Sequence, residues 1–304
     1  MPRLNAVSQT AVDRLRSFKP PPTNYDTVPL SRRAAVLVLL YADSQGDLRV
    51  VLTIRAKTLS SYAGQAALPG GKADSLEETP FQTARREAHE EIGLADIDQP
   101  LPQPFTVEHI CELPAHLAKT ELVVRPCVAL LHSYDEKTGQ NADPEVSLIP
   151  KLDAREVAAV FTAPFHNLLR MSDEDDWGGN PADWYQGAWT EWHQSNFRMH
   201  QFFVPIRPQS VVIPRTRQNE ADNTLESKEK PGIVTRYRVF GMTARMLVDI
   251  ARIAYAEEPE FEYNSQIGDE HLIAQLLKMG RLSSFRKSGD ILTREDVKKA
   301  AKLS

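Results

Sequence analysis

The chain has 304 residues, enough for two ordinary domains or for one large domain with additions. Hydrophobic residues make up 41% of it and charged residues 25%, a balance that excludes a wholly disordered or fibrous protein. The formal charge of −5 excludes an overall basic excess of the kind that attracts nucleic acid or anionic membranes. No run approaches the roughly 18 apolar residues of a membrane span, so we predict neither a nucleic-acid partner nor a span.

The first 30 residues are predicted to be an arm that precedes the folded body. Pro20, Pro21 and Pro22 interrupt regular structure between a short amphipathic segment and the rest of the chain. The body should therefore begin near Ser31. We divide the chain into an N-terminal arm over residues 1–30 and a single domain over residues 31–304.

The first half of the body is predicted to form strands around one helix. Residues 34–41 and 48–54 are aliphatic and rich in β-branched side chains, and the polar, glycine-containing link between them predicts a hairpin. A short strand over residues 65–68 ends at Pro69-Gly70-Gly71, and a helix follows over about residues 77–92 until Gly93. Further strands are predicted over residues 105–111, 121–131 and 156–161. Together these elements predict a mixed sheet with helices packed on it.

An insertion is predicted over about residues 171–231, where the amino-acid composition of the sequence changes. It begins with an acidic run at Asp173, which we interpret as a solvated loop and not as a second cation site. Its tryptophans could stack an adenine ring, but packing onto the core is the favoured interpretation; they are Trp177, Trp184, Trp189 and Trp192. Residues 216–230 lack large apolar side chains and are predicted to form a mobile loop outside the site.

The last third of the chain returns to regular structure. A strand is predicted over residues 232–240 and a helix over residues 243–255, where apolar residues recur at helical spacing. One or two helices over residues 269–303 should form a C-terminal extension that starts at about residue 265.

Three glutamates on the first predicted helix are the strongest chemical signal in the chain. At about 100° per residue, Glu87, Glu90 and Glu91 share an arc of roughly 100°. Like charges at this spacing repel one another, so the cluster makes sense if a hard cation neutralises it. Mg²⁺ prefers carboxylate oxygens and completes its shell with water and substrate phosphates. The pattern therefore predicts a metal site that cleaves phosphate bonds.

The residues around the glutamates are predicted to support them. Gly70 and Gly71 let the preceding loop turn sharply and bring backbone groups close to metal or phosphate. Glu78 precedes the helix and can fold back to pair with Arg86, a pair that we assign to the scaffold. His89 could act as a general base or a ligand, but we interpret it as an exposed helix residue.

From Gly71 to Leu94 the sequence resembles the Nudix box, Gly-x5-Glu-x7-Arg-Glu-U-x-Glu-Glu-x-Gly-U, in which U is aliphatic. It departs from the box because six residues separate Gly71 from Glu78 instead of five, and because Ala88 is a small U residue. The extra residue also occurs in the coenzyme A pyrophosphatase branch of the family. An upstream pattern of that branch is matched at Leu52, Thr53, Arg55, Leu59, Gly64, Gln65 and Pro69 to Gly71, and it is not matched at Ala56, Ser60, Tyr62 and Leu68. Residues 237–244 resemble a further segment of the branch.

The resemblance implies a Nudix α/β/α sandwich with a mixed β-sheet, an insertion and a helical C-terminal extension. It also implies a hydrolase that uses Mg²⁺ or Mn²⁺ to cleave the diphosphate of coenzyme A or its thioesters. The products would be 4′-phosphopantetheine, acylated from thioesters, and adenosine 3′,5′-bisphosphate. Glu87, Glu90 and Glu91 would be the catalytic and metal-binding residues. One of them, or a residue on a later loop, would accept the proton.

The substrate-binding residues implied by the resemblance are Arg55, Gln65, Gly70 and Gly71. Arg55 would meet a substrate phosphate, and a pair with a neighbouring carboxylate is the equal alternative. Two other functions stay open: hydrolysis of oxidised nucleoside triphosphates on the same metal helix, and a Nudix-fold binding module without turnover. The second is disfavoured because none of the three box glutamates is replaced. A homodimer is also left open.

The location of the protein is predicted from two weaker signals. Cys111 and Cys127 fit no metal-ligand spacing and no disulfide framework, so they are predicted to be buried free thiols in a reducing compartment. The resemblance to fungal peroxisomal members of the branch implies the peroxisome, with the cytoplasm as the alternative. Ala301-Lys302-Leu303 resembles a peroxisomal signal, but Ser304 follows it, so no intact signal is seen.

Overall fold

The computed structural model describes residues 4–56, 64–135, 139–142, 144, 148, 157–174, 180–192, 195–206, 211, 236–284, 293, 295–296 and 299–300. The loop predicted over residues 216–230 lies outside the described residues. So do Trp177 and the positions 59, 60 and 62 of the upstream pattern.

The predicted helices and strands that fall on described residues occur in their predicted order, together with several short strands and two longer strands of the predicted insertion that were not predicted. The α-helices are α1 (Ala6–Ser17), α2 (Pro80–Ile92), α3 (Gly241–Tyr255) and α4 (Glu270–Lys278). The strands are β1 (Arg33–Ala42), β2 (Leu48–Arg55), β3 (Ala66–Ala67), β4 (Gly70–Lys72), β5 (Thr106–Glu112), β6 (His116–Leu117), β7 (Val123–His132), β8 (Tyr134–Asp135), β9 (Gln140–Asn141), β10 (Val157–Pro164), β11 (Tyr185–Trp192), β12 (Ser195–Pro205) and β13 (Arg236–Phe240).

The central sheet is mixed, as predicted. Its strand order is β10-β2-β1-β7-β5, with β3 paired to β2, β4 to β1 and β6 to β7. β1 and β7 run parallel from Arg33 to Tyr41, whereas the other pairs are antiparallel. The predicted hairpin joins β1 to β2, with Leu40 opposite Val50.

The two faces of the sheet are covered by different helices. Alternate residues of β1 belong to two separate cores, as the period of two in a strand requires. Ala34, Val38 and Leu40 share one core with residues of α1 and α3. Ala35, Leu37, Leu39 and Tyr41 share the other core with Ala84, Ala88 and Ile92 of α2. This arrangement is the predicted α/β/α sandwich.

The N-terminal segment corrects the expectation that the folded body begins near Ser31. Ala11, Val12 and Leu15 on α1 are buried and belong to the same core as α3. The Arg14 guanidinium donates to the carbonyl oxygens of Ala254 and Tyr255 at the end of α3. An amphipathic helix gains most of its stability from such packing, so the three prolines that follow interrupt the helix but not the core.

At one end of the sheet β1 and β2 separate, and the segment from β3 to β4 fills the gap. β3 pairs with Thr53 and Ile54 of β2, and β4 pairs with β1 so that Gly71 lies opposite Ala35. The backbone N–H of Leu37 donates to the carbonyl of Pro69 between them. The glycine turn is therefore part of the sheet, where the sequence predicts only a loop.

Residues of the predicted insertion form a second sheet together with the strand that follows it. β12 is central, with β11 and β13 antiparallel on its two sides. Trp184 is fully buried and donates its indole N–H to the carbonyl of Asn167, which agrees with the predicted packing onto the core. Asp173 departs from the predicted solvated acidic loop, because its side chain is 2% exposed and lies 3.6 Å from Arg236, whereas Glu174 is exposed as predicted.

The C-terminal extension begins with α4, which packs near the start of the chain. Ile273 and Leu276 share a small core with Tyr25 and Val28. The Glu270 carboxylate accepts hydrogen bonds from the Thr23 hydroxyl and the Asn24 N–H. None of the helices in the described part has the length and apolar run that a membrane crossing needs. Both cysteines are buried and unpaired, as predicted.

Candidate active site

The helix α2 carries the predicted carboxylates, and its ends are fixed by local sequence. Thr79 and Gln82 form a capping box, and Pro80 occupies the first turn, where its missing N–H costs nothing. Gly93 ends the helix in the left-handed conformation with φ of 69°. The helix therefore begins three residues later than residue 77, and Glu77 and Glu78 belong to the loop before it.

The predicted pair of Glu78 with Arg86 is formed. The Arg86 Nε donates to Glu78 Oε1 at 2.8 Å, and the other oxygen of Glu78 accepts from the N–H of Asp74 and the hydroxyl of Thr83. Burial opposes the charged form of Glu78, but these hydrogen bonds outweigh it and hold the pKa of this carboxyl below its usual value. The loop from β4 to α2 is thus tied to the helix.

The Arg86 guanidinium also holds two of the three box glutamates. Its Nη1 lies 3.2 Å from Glu87 Oε1 and 3.3 Å from Glu90 Oε1. Its Nη2 donates to the carbonyl of Lys72 at 2.8 Å. One guanidinium therefore connects β4, the loop and the acidic face of α2, in the forked geometry that arginine allows.

The glycine turn lies directly against the carboxylates of α2. A Cβ atom on Gly71 would overlap the carboxylate of Glu87, and one on Gly70 would overlap the backbone of β1. Gly70 has φ of 150°, which disfavours any residue with a side chain. The backbone N–H of Gly70 donates to Glu91 Oε2 at 3.1 Å. The structure thus brings Gly70, Gly71, Glu87 and Glu91 together.

The electrostatics of this face favour an added positive charge. Burial raises the pKa of Glu87 above its usual value, the charge of Glu90 raises it further, and Arg86 offsets part of the increase. Glu90 is the most solvent-exposed of the residues bound to Arg86 on the helix, with 47% of its side chain accessible. Arg86 offsets only part of the repulsion between these carboxylates. A second cation beside them would offset more of it.

The donor set of this face is made of carboxylate oxygens, which suits a hard divalent cation. Within the described ranges, however, no three side chains of the types His, Cys, Asp and Glu are arranged as a metal site. Glu87 and Glu90 turn to Arg86, and Glu91 turns to the N–H of Gly70. The residue types fit a metal, and binding would require some of these carboxylates to leave their present partners.

Arg55 and Gln65 lie at the same end of the sheet as the glycine turn. The N–H of Arg55 donates to the carbonyl of Gln65 at 3.0 Å, so the two residues close the segment between them. The buried Nε of Arg55 has no hydrogen-bond partner within the described part of the chain. Burial of a donor without a partner costs free energy, so this atom is a candidate to bind a ligand.

Sequence reasoning missed three supporting groups and misjudged one residue. Asp74 lies 3.5 Å from Arg86, and Thr83 and the Lys72 carbonyl complete the set around Glu78 and Arg86. The sequence carries a pattern for the capping box at Thr79 and Gln82, but none for these three groups. His89 is partly buried, not exposed, and its Nδ1 lies 3.1 Å from the carbonyl of Leu94, so it helps to finish the helix.

The chain is similar to a known domain family and to proteins of that family. The model of the NUDIX domain matches residues 31–177. The Saccharomyces cerevisiae protein "Peroxisomal coenzyme A diphosphatase 1, peroxisomal" is 30% identical over 286 residues, which cover 88% of this chain and 82% of that protein. "Nudix hydrolase 22, chloroplastic" of Arabidopsis thaliana is 31% identical over 234 residues, which cover 76% of this chain and 58% of that protein.

Among solved structures, a Nudix hydrolase from M. smegmatis, RenU, is similar at 25% identity. The match covers 45% of this chain and 72% of that one, with a TM-score of 0.28. A C. elegans Ap4A hydrolase complex is similar at 19% identity over 45% of this chain and 82% of that one, with a TM-score of 0.30.

Proposed function

The chain belongs to the Nudix hydrolase family and is a Nudix diphosphatase, and from this premise we propose that it hydrolyses the diphosphate bond of coenzyme A and its derivatives. Water would attack the diphosphate and yield 4′-phosphopantetheine, or its acyl form, and adenosine 3′,5′-bisphosphate. The observation that carries the reaction class is the contact of the glycine turn with Glu87 and Glu91. The substrate class is supported by the similarity to the yeast diphosphatase over most of both chains.

Nudix hydrolases use divalent metal ions, and we propose Mg²⁺ or Mn²⁺ for this one. Glu87, Glu90 and Glu91 would hold the cation, since they supply oxygen ligands on one face of a rigid helix. When bound, a divalent cation polarises the diphosphate oxygens and lowers the pKa of the attacking water.

The remaining roles belong to this chain's own residues. Arg86 positions Glu87 and Glu90, and Glu78 in turn positions Arg86. The N–H of Gly70 orients the Glu91 carboxylate, and the missing side chain of Gly71 leaves room for Glu87. Arg55, whose buried Nε has no partner among the residues that the structure describes, would bind a phosphate of the substrate through a charge-assisted bond.

Hydrolysis of oxidised nucleoside triphosphates is the competing substrate class, because it would use the same helix with a different base pocket. The similarity to the yeast diphosphatase favours coenzyme A, which carries a 3′-phosphate that nucleoside triphosphates lack. A non-catalytic binding role is disfavoured because all three box glutamates are present.

A panel of diphosphates separates these functions. The protein is incubated with Mg²⁺ or Mn²⁺ and coenzyme A, acetyl-coenzyme A, dephospho-coenzyme A or an oxidised deoxyguanosine triphosphate, and products are identified by mass. We expect coenzyme A forms to be cleaved fastest. Faster cleavage of the oxidised nucleotide would overturn the substrate class, and no cleavage of any compound would overturn the catalytic role.

The compartment is proposed from the same relative, whose name places that protein in the peroxisome. We propose a peroxisomal location, which imaging of the protein with a fluorescent N-terminal tag and a free C-terminus would test. A diffuse cytoplasmic signal would contradict it.

A further inference from the structure

A cavity of about 570 Å³ opens between three segments of the chain, and the proposed chemistry does not use it. Its walls come from residues 26–33, from the loop between β4 and α2, and from the end of α4 with the turn that follows. The volume lies within the roughly 300–1,000 Å³ of small-molecule sites. We call it the leucine cavity, because four leucines line it: Leu30, Leu76, Leu277 and Leu282.

The leucine cavity lies at the face of the central sheet that carries the box glutamates. Arg33 lines the cavity, and Arg33 and Ala35 are alternate residues of β1, so their side chains point to the same face. Ala35 shares its core with α2. Gly71, which contacts Glu87, pairs with Ala35 two residues along β1 from Arg33, a separation of about 7 Å. The cavity and the glycine turn are therefore neighbours.

The loop between β4 and α2 also joins the leucine cavity to the candidate active site. The N–H of Ala73 on this loop donates to the carbonyl of Arg33 at 3.1 Å. Leu76 of the same loop lines the cavity, and the loop also carries the carboxylates that pair with Arg86. A ligand whose diphosphate lies at the glutamates can therefore extend along this loop into the cavity.

The two arginines of the leucine cavity are each paired with an aspartate. The Arg33 Nη1 lies 3.9 Å from Asp26 Oδ1, and its Nε donates to the carbonyl of Val28 at 3.0 Å. The Arg281 Nη2 lies 3.1 Å from Asp296 Oδ2. Because these charges are offset within the chain, the cavity suits an uncharged part of a ligand better than the phosphates of a nucleotide.

The leucines give the cavity an apolar surface that the solvent reaches. Leu76 is 58% exposed, although it is a large apolar residue on a polar loop between Ser75 and Glu77. Leu30 and Leu277 are half-buried. Removal of such surface from water by an apolar ligand is favourable in proportion to the area covered. The cavity therefore favours a ligand that carries a hydrocarbon chain.

The turn after α4 holds its wall of the cavity in a fixed shape. Gly280 and Leu282 both adopt the left-handed conformation, with φ of 69° and 53°. This conformation is uncommon for leucine, and the side chain of Leu282 is buried, so packing holds it there. The Arg32 Nε donates to the carbonyl of Ser283, which ties the turn to the segment before β1. Two walls of the cavity are thus joined without a ligand.

We propose that the leucine cavity binds the pantetheine arm of the substrate and the acyl chain at its end. The arm is uncharged and starts at the diphosphate, so it can follow the loop between β4 and α2 while the diphosphate stays at Glu87. The acyl chain then covers the leucines. This inference rests on the proposed function, because it assigns a place to one half of a coenzyme A thioester.

The test compares two ligands that differ only in the length of the chain. Binding of S-octyl and S-ethyl 4′-phosphopantetheine, thioethers of the proposed product, is measured by calorimetry on the full chain with Mg²⁺. The wild-type protein should bind the octyl compound about tenfold more tightly, a gain that burial of about two methylene groups supplies. Leu76→Ser and Leu277→Ser should each reduce this difference to about threefold or less, through weaker binding of the octyl compound.

Two further variants separate the cavity from general surface effects. Leu76→Met keeps an apolar side chain of similar size and should keep the tenfold difference. Ile97→Ser is the matched control, because Ile97 is also a large exposed apolar residue, 46% accessible, but follows α2 and does not line the cavity. Thermal melts check that each variant is folded. Equal binding of the two compounds by wild type, a tenfold difference retained in both leucine-to-serine variants, or a loss shared by Ile97→Ser would overturn the proposal.

Cleavage of coenzyme A by the wild-type protein is measured in parallel. If coenzyme A is cleaved and the two thioethers bind equally, only the leucine cavity is wrong. If coenzyme A is left intact, the proposed function is wrong, and the binding comparison still decides whether the cavity holds an acyl chain.

Discussion

Gly71 and Glu87 are in such close contact that a Cβ atom on the glycine would overlap the glutamate's carboxylate. The two residues come from β4 and α2, and no hydrogen bond between them is needed to fix the distance. The space that glycine leaves empty is the space in which the carboxylate lies. Glycine at this position is therefore required by the site as well as by the turn.

Gly71→Ala should displace Glu87 and lower kcat by about 10²-fold, in line with the loss of a positioned catalytic group. The protein should stay folded, because the pairing of β4 with β1 uses the backbone. Steady-state kinetics at saturating Mg²⁺ and a thermal melt measure both quantities. Lys72→Ala, a change of an exposed side chain on the same strand, is the control and should keep wild-type turnover.

Glu87→Gln, Glu90→Gln and Glu91→Gln should each lower kcat by at least about 10²-fold if they act through metal. Burial raises the pKa of Glu87, so its charged form opposes folding at neutral pH. The metal-free Glu87→Gln protein should therefore melt at the same temperature as wild type or higher. Glu77→Gln changes an exposed carboxylate of the preceding loop and serves as the control. Wild-type turnover in all three variants would remove these glutamates from the mechanism.

Glu78→Gln should act on stability more than on chemistry, because Glu78 holds Arg86 and does not reach the substrate in the proposed arrangement. We expect a loss of about 1 kcal/mol in the free energy of unfolding at pH 7. The pKa of Glu78 is lowered in the folded state, so its stabilisation is present above its ordinary pKa of 4.5 and is lost as pH falls. Urea unfolding of both proteins at about pH 7 and about pH 3 should show the difference shrink at the lower pH. A difference that grows at low pH would contradict the assignment.

Arg55→Ala should remove most of the preference for coenzyme A over dephospho-coenzyme A. We expect wild-type kcat/KM to be about tenfold to a hundredfold higher for coenzyme A, as a charge-assisted bond to the 3′-phosphate allows. The variant should still hydrolyse both compounds. Arg49→Ala, on the same strand but hydrogen-bonded to Thr162, is the control. If wild type cleaves the two compounds with equal kcat/KM, Arg55 does not bind the 3′-phosphate.

His166 should stabilise the region before the insertion in a pH-dependent way. Its ring nitrogens lie 3.2 Å from Glu174 and from Glu257, with Arg170 in the same cluster and the ring of Tyr255 packed at 4.5 Å. The hydrogen bond with Glu174 raises the pKa of His166, and Glu257 adds to the increase against burial and Arg170.

A raised histidine pKa means that the stabilisation is complete below the ordinary value of 6.5 and is lost as pH rises through the folded-state value. His166→Gln should therefore unfold at a lower urea concentration than wild type at about pH 6, and the gap should close by about pH 9. His271→Gln, an exposed histidine at the start of α4, is the control. A gap that is unchanged across this range would show that charge is not the cause.

The chemistry of α2 could be predicted from sequence because all of its determinants are local. The arc of Glu87, Glu90 and Glu91 and the return of Glu78 to Arg86 follow from helical geometry within one short stretch. β4 could not be predicted, because glycines have low β propensity and only the pairing of Gly71 with Ala35 makes a strand there. The packing of α1 was missed for a related reason: its apolar face is visible, but its partner helix is far along the chain.

In the second half of the chain and around the candidate site, too, features set by neighbouring residues could be predicted, and features set by distant residues could not. The capping box at Thr79 and Gln82 could have placed the start of α2 correctly, since both residues are in the sequence at the right spacing. The position of Arg238 opposite Phe203 was not predictable, because it depends on the register of β13 against β12. Packing of the tryptophans onto the core was the favoured prediction, and buried Trp184 agrees with it.

The packing of α1 on α3 has a consequence for how the protein is made. Arg14 binds the carbonyl of Ala254, which lies 240 residues later. At the usual speed of a ribosome, the first helix is synthesised on the order of tens of seconds before its partner. During that interval Ala11, Val12 and Leu15 have no native cover from α3. A chaperone that binds nascent apolar segments would have access to this helix during the interval, and the sandwich can close on that side only after α3 has been synthesised.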